Sequence, residues 1–171
     1  MLGEAVRQEK GELDEDIFTT TMDLNLDAYI PDSYIPNEYQ KLDIYKRIAG
    51  IENEEEMDDM LEELIDRFGD IPRKVQQLLN IAGLKALAHS AYVTSVEQKE
   101  NTFRIQMYEK AKVKPEKIPG LIEAYRGSLV FKMENPPYFL YEKKYRNKKE
   151  KDEDILELVK KLLNDIKSLL E

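Results

Sequence analysis

The chain has 171 residues, 42% of them hydrophobic and 36% charged, with only seven glycines and seven prolines, which is the balance of one folded domain and excludes a linker or a fibre. It has no cysteine, so disulfides, thiolate metal sites and cysteine nucleophiles are ruled out, and a reducing, cytosolic (cytoplasmic) setting is favoured. No apolar run approaches the roughly 20 residues needed to cross a bilayer, and Met1 to Ala5 lack a basic and apolar signal pattern, so a soluble, non-exported protein without a membrane partner is expected.

The formal net charge of −9 disfavours a generic nucleic-acid surface, and its distribution is more telling than its size. Ten acidic residues crowd into positions 52 to 70, with Arg67 as their only basic neighbour, and outside that stretch acidic and basic residues balance. The whole imbalance therefore sits in one segment.

In chain order, residues 1 to 16 read as the tail of a preceding helix and a polar linker, consistent with a piece cut from a longer chain; residues 17 to 171 read as a single domain. From Thr21 to Ala28 apolar Met22, Leu24, Leu26 and Ala28 alternate with polar neighbours, the pattern of a half-buried strand. The doubled unit Tyr29-Ile30-Pro31 and Tyr34-Ile35-Pro36 then makes a stiff loop, because proline fixes φ and carries no amide donor.

Three helices should follow. The first spans about Glu38 to Ala49, with Leu42, Tyr45, Ile48 and Ala49 inward and Gly50 ending it. The second starts at Asn53, an N-cap residue with Glu56 three positions on as in a capping box. Its Met57, Met60, Leu61, Leu64, Ile65 and Phe68 form a continuous apolar stripe that Gly69 closes. The third opens at Asp70-Ile71-Pro72 and carries Val75, Leu78, Leu79, Ala82 and Ala86 at helical spacing.

After His89 the period becomes alternating. Tyr92 to Val96 and Phe103 to Met107 read as strands joined by a turn at Gln98 to Asn101. A short helix near Pro119 to Tyr125 follows, then strands at Leu129, Phe131 and Met133 and at Tyr138 to Tyr141. A last helix from Glu153 to Leu170 presents Ile155, Val159, Leu162, Ile166 and Leu169; at about two heptads that seam is short for a coiled coil, and docking on the chain's own sheet is expected. The fold class is α+β: an N-terminal strand and three helices, then a small, mainly antiparallel sheet with a short helix and a C-terminal helix.

Catalytic motifs are missing. There is no phosphate-binding glycine loop, no nucleophile elbow and no second histidine to join His89 as a metal ligand, so neither an enzyme nor a bound cofactor or metal is expected of this chain. His89 reads as a packing or capping residue. The strings Asp14-Glu15-Asp16 and Asp152-Glu153-Asp154 lack phosphate-cradling glycines and read as solvated charge. The basic cluster Lys143 to Lys149 is a candidate nucleic-acid patch or, more simply, a solvated connection.

The second helix has two readings. At 100° per residue, with Met57 at zero, Glu62, Glu55, Asp66, Asp59 and Glu63 fall between about 140° and about 240°, opposite the apolar stripe. That arc is either a solvated face or the docking face for a basic partner. Glu63 and Arg67 are spaced to pair at i, i+4, leaving Glu62 and Asp66 freer to meet an external arginine.

Four motifs occur in order. Ala28-Tyr29-Ile30-Pro31-Asp32-Ser33-Tyr34-Ile35-Pro36 is followed by Leu42-x-Ile44-Tyr45-Lys46-Arg47-Ile48-Ala49, by Glu63-Leu64-Ile65-Asp66-Arg67-Phe68-Gly69-Asp70-Ile71-Pro72, and by Leu78-Leu79-Asn80-Ile81-Ala82. Together, over about residues 22 to 90, they resemble the C-terminal domain of bacterial transcription-repair coupling factors, the Mfd family; from residue 91 only the order of strands and helices is similar. The stretch Leu2 to Gly11 resembles the end of that family's translocase module.

The resemblance implies a non-catalytic regulatory module of a DNA-translocating ATPase that engages stalled RNA polymerase and recruits UvrA through a UvrB-like domain. The C-terminal domain of the family packs on the UvrB-like domain of the same polypeptide and hides its UvrA-binding surface. The family's Glu-x-x-Asp-Arg contact motif falls on Glu63, Asp66 and Arg67, to which the neighbouring Glu62 and Asp59 add charge, so the resemblance selects the docking reading of the acidic arc. Direct nucleic-acid binding is not expected; a nucleic-acid module using Lys143 to Lys149, or a structural brace for the translocase, is the alternative.

Overall fold

The structure, a computed structural model, describes residues 18–143 and 151–170. The expected helix tail and linker at 1 to 16, the string Asp14-Glu15-Asp16 and Lys144 to Lys149 of the basic cluster lie outside the described residues.

Among the described residues five strands and five α-helices form an α+β fold with helices against one face of a mixed sheet. The strands are β1 (Thr21–Asp23), β2 (Val93–Lys99), β3 (Thr102–Met107), β4 (Leu129–Lys132) and β5 (Tyr138–Glu142), in the order β1-β2-β3-β5-β4. The pairings are antiparallel except β1 with β2, which is parallel, with Met22 opposite Val96. The helices are α1 (Glu38–Ala49), α2 (Glu54–Phe68), α3 (Arg73–Ser90), α4 (Ile118–Ala124) and α5 (Asp152–Lys167). Short 3-10 turns precede α4 at Pro115–Lys117 and follow α5 at Ser168–Leu170.

Two cores are built. On the inner face of the sheet Val93, Val96, Phe103, Ile105, Met107, Leu129 and Phe139 are fully buried, covered by Leu84 and Ala88 of α3 and by Ile155, Val159, Leu162, Leu163 and Ile166 of α5. The seam of the last helix thus docks on the chain's own sheet, as its spacing implies. The second core joins Ile30, Tyr34 and Ile35 of the proline loop with Ile44 and Ile48, Met60 and Leu64, and Val75, Leu79 and Ala82. Helix α3, about 27 Å long at 1.5 Å per residue, contributes to both cores and so ties the helical half to the sheet. Arg73 to Glu153 at 2.9 Å adds an α3–α5 ion pair.

The structure departs from the sequence pattern in several places. The N-terminal strand is shorter than the alternation from Thr21 to Ala28: only Thr21 to Asp23 joins the ladder, although alternate residues stay more buried as far as Ile30. The cause is local, since Leu26 N–H donates to Leu24 O at 2.8 Å and Asn25 N–H to the side chain of Gln98 at 2.9 Å, which removes both donors from sheet pairing. In α1 the inward residues are Ile44 and Ile48, while Leu42 is 57% exposed and Ala49 is exposed. Tyr45 turns that helix towards the proline loop, its hydroxyl accepting the Ile30 N–H at 2.7 Å, and Leu42 lies about 160° round the helix from Ile44. Finally, β2 runs on to Lys99 and pairs with Thr102, so the hairpin turn is only Glu100 and Asn101, with Glu100 at φ 55°.

The proline loop also fastens α2. The Tyr34 hydroxyl donates to the carbonyls of Leu64, at 3.1 Å, and Gly69, at 2.9 Å, and its ring lies 5.8 Å from that of Phe68. Tyr34→Phe removes this donor and leaves the end of α2 one partner short. It is expected to lower unfolding free energy by about 1–2 kcal/mol in urea denaturation, and an unchanged midpoint would contradict that role.

Candidate functional site

Helix α2 is held at both ends by its own sequence. The Asn53 side chain accepts from Glu56 N–H at 2.8 Å, as the cap spacing predicts, while the Glu56 carboxylate reaches past the cap residue to Glu52 N–H, also at 2.8 Å. At the other end Gly69 adopts φ 90°, ψ −163°, a region essentially restricted to glycine. Between them Met60 and Leu64 are buried and Met57, Leu61 and Phe68 partly so. Ile65, expected within the buried stripe, is instead 45% exposed: it stands at the stripe's edge, about 60° from Glu62 on the outward side.

The acidic arc divides into two parts. Glu55, Asp59, Glu62 and Asp66 are exposed, and among the described residues none of them has a hydrogen bond or ion pair. Glu63 is different. Arg47, arriving from α1, grips its carboxylate with both guanidinium arms, Nη2 to Oε1 at 2.6 Å and Nη1 to Oε2, and Arg67 Nη1 reaches the same Oε2 at 3.0 Å. The spacing-based Glu63–Arg67 pair is present. The Arg47 grip is not visible in the sequence, because it crosses between helices from 16 residues away.

This network sets the local electrostatics. Hydrogen bonding from Arg47, assisted by Arg67, holds the Glu63 carboxyl down at about 2 against the opposing effect of burial, and the Arg47 guanidinium is correspondingly raised by Glu63. Arg67 also lies over the Phe68 ring, 4.9 Å from its centroid. The surface is therefore an ionic seam along one flank of α2, beside an outward face where four carboxylates and one isoleucine are exposed.

The remaining candidates have structural settings. His89 stacks on Phe18 with ring centroids 4.4 Å apart, and its Nδ1 is 3.1 Å from the Thr20 hydroxyl, which donates to Val93 O at 2.7 Å; with that proton committed, His89 Nδ1 must be the donor. Asp152 and Asp154 occupy the first turn of α5, where Asp154 accepts the Lys151 N–H at 3.0 Å. Burial lowers the Lys143 ammonium. A groove of about 630 Å³ runs between α3 and α5 over Leu84, Leu87 and Leu156, and neither Asp59, Glu62 nor Asp66 lines it. The acidic face is a surface rather than a pocket, which suits a protein partner better than a small substrate.

Comparison with known proteins agrees with the motif reading. The family model described as the TRCF domain matches residues 24–118. The transcription-repair-coupling factor of Staphylococcus haemolyticus is 38% identical over 138 residues, 80% of this chain and 11% of that protein. That of Bacillus subtilis is 38% identical over 112 residues, 65% of this chain and 10% of that protein. The chain thus spans about a tenth of the length of these relatives. A solved structure described as the C-terminal domain of transcription-repair coupling factor superposes with a TM-score of 0.68 at 28% identity, covering 90% of this chain and 97% of that one.

Because the folded pKa of Glu63 lies below that of an unfolded glutamate, the group contributes stability that is present above the ordinary carboxylate range and is lost as pH falls through about 2. Glu63→Gln should remove this component. In chemical denaturation across acidic pH the variant is expected to be less stable at neutral pH and to lose less stability than the parent between about pH 4.5 and about pH 2; parallel profiles would contradict the network.

Proposed function

Because the chain belongs to the TRCF-domain family and is a C-terminal domain of a DNA-repair factor, not its ATPase region, we propose that it is the regulatory clamp of a transcription-repair coupling factor. In this reading residues 17 to 171 dock on the UvrB-like domain of the same polypeptide and cover the surface that UvrA would otherwise bind. Residues 1 to 16 are the tail of the translocase module. The parent is a DNA-translocating ATPase that engages stalled RNA polymerase, and release of the clamp admits UvrA to nucleotide excision repair.

The observation that carries this reading is the outward face of α2. Asp59, Glu62 and Asp66 are exposed with no described partner, and Ile65 stands exposed among them, so the face offers charge for orientation and an apolar anchor for affinity. Glu63 and Arg67 complete the contact motif at its flank. Charge-assisted hydrogen bonds from partner arginines would satisfy these carboxylates, and their strength depends on exclusion of water at the contact.

A clamp must also let go. Moving from about 99% closed to about 99% open takes roughly 5.5 kcal/mol of differential binding free energy, a range that nucleotide, DNA and polymerase binding elsewhere in the parent could supply. A charged contact of this kind forms faster at low salt and slows as salt is added.

The test is the affinity of this domain for the separately expressed UvrB-like domain. The double reversal Glu62→Lys, Asp66→Lys is chosen because, among the described residues, neither side chain has an intramolecular partner to lose. It is expected to weaken binding at least about tenfold, corresponding to 1.4 kcal/mol, and to raise UvrA binding by the longer polypeptide. Unaltered affinity for both partners would reject the clamp.

A further inference from the structure

The Glu63 carboxylate already holds a guanidinium, and that occupant says what else fits there. Arg47 presents the planar fork that matches a carboxylate, using two nitrogens on two oxygens, a geometry an ammonium cannot reproduce. The seat is open at its edge, with the Arg47 side chain 43% and the Glu63 side chain 33% exposed. On the helix surface it adjoins the unpartnered arc, since Asp59 lies four residues before Glu63 and Asp66 three after.

We propose that Arg47 occupies, in the free domain, the seat that an arginine of the partner takes on docking, so that binding exchanges one guanidinium for another at Glu63. The inference rests on the docking reading above and adds the identity of the internal competitor that the partner's arginine must displace. Three features make the exchange feasible. Helix α1 is anchored by Ile44 and Ile48, so the Arg47 side chain can swing away without disturbing the core. Asp43, one turn earlier on the same helix, already acts on the Arg47 charge and offers it a second partner. Arg67 stays on Oε2, keeping the carboxylate oriented while its other donor changes.

Exchange lowers the net gain from this contact, since a bond is lost for each one made. It favours arginine over lysine or a neutral group, and it keeps the complex weak enough to open. Arg47 thus acts as a specificity element that also limits affinity.

The experiment compares binding of the UvrB-like domain by the unmodified chain, Arg47→Gln, Lys46→Gln, Glu63→Gln and the pair Arg47→Gln, Glu63→Gln. Lys46 is an exposed cation on the next position of the same helix, so its removal reports the general effect of making this face more negative. Arg47→Gln is expected to bind about two- to fivefold tighter, the worth of an exposed ion pair, with slower dissociation that persists at high salt. Lys46→Gln should change only the salt-sensitive association rate, and Arg47→Gln should bring no gain once Glu63 is Gln. In the unmodified chain the Arg47 Nε–H signal in NMR should shift when the partner binds. Weaker binding by Arg47→Gln, a gain no larger than that of Lys46→Gln, or an unmoved Arg47 signal would overturn the exchange while leaving docking intact if Glu62→Lys, Asp66→Lys still weakens it. Failure of the unmodified chain to bind at all overturns both.

Discussion

The proposed docking surface follows from burying one side of α2. Met60 and Leu64 enter a core with Val75, Leu79 and Ala82, and α3 lies so close beneath that a Cβ on Gly83 would stand 3.1 Å from the Met57 sulfur. Once that face is committed, a helix with this sequence must send its carboxylates outward. Like charges three and four apart oppose an isolated helix by a few tenths of a kcal/mol per pair, a cost that tertiary burial of an amphipathic face readily exceeds. The acidic surface is then a consequence of packing, and its use by a partner requires no rearrangement of the core.

The same constraint separates two kinds of carboxylate. Those at the crown of the arc, Asp59, Glu62 and Asp66, meet only solvent, whereas Glu63 at the flank faces α1 and is drawn into the Arg47 and Arg67 network. A short motif holding Glu63, Asp66 and Arg67 therefore combines a residue available to a partner with two that are first required internally. Substituting all three together would mix loss of docking with loss of local order, and the exposed members are the cleaner handle. The domain's two halves serve this surface differently: the proline loop fastens the end of α2 through Tyr34, and the sheet braces α3 from behind.

Much of this was legible in the residues because local periodicity and local punctuation coincide. The Asn53 cap, the stripe from Met57 to Phe68 and Gly69 mark α2 almost to the residue, and the alternation in Phe103, Ile105 and Met107 identifies β3. Periodicity does not say how wide a buried arc is, so Leu42 and Ile65, inward by spacing, stand outward. It does not distinguish alternating burial from sheet pairing, and the segment after Asp23 keeps the first without the second. Strand order, with β5 between β3 and β4, depends on long-range pairing that a single sequence does not encode locally. The Arg47–Glu63 contact escaped for a related reason, since it depends on how two helices cross and no spacing rule covers 16 residues.

The most direct measurement is a structure of the full-length resting polypeptide to which this domain belongs. Docking predicts that Glu62 and Asp66 lie within hydrogen-bonding distance of arginine side chains on the UvrB-like domain, with Ile65 enclosed between them. A resting structure in which this face of α2 meets only water, remote from any cationic side chain, would contradict it.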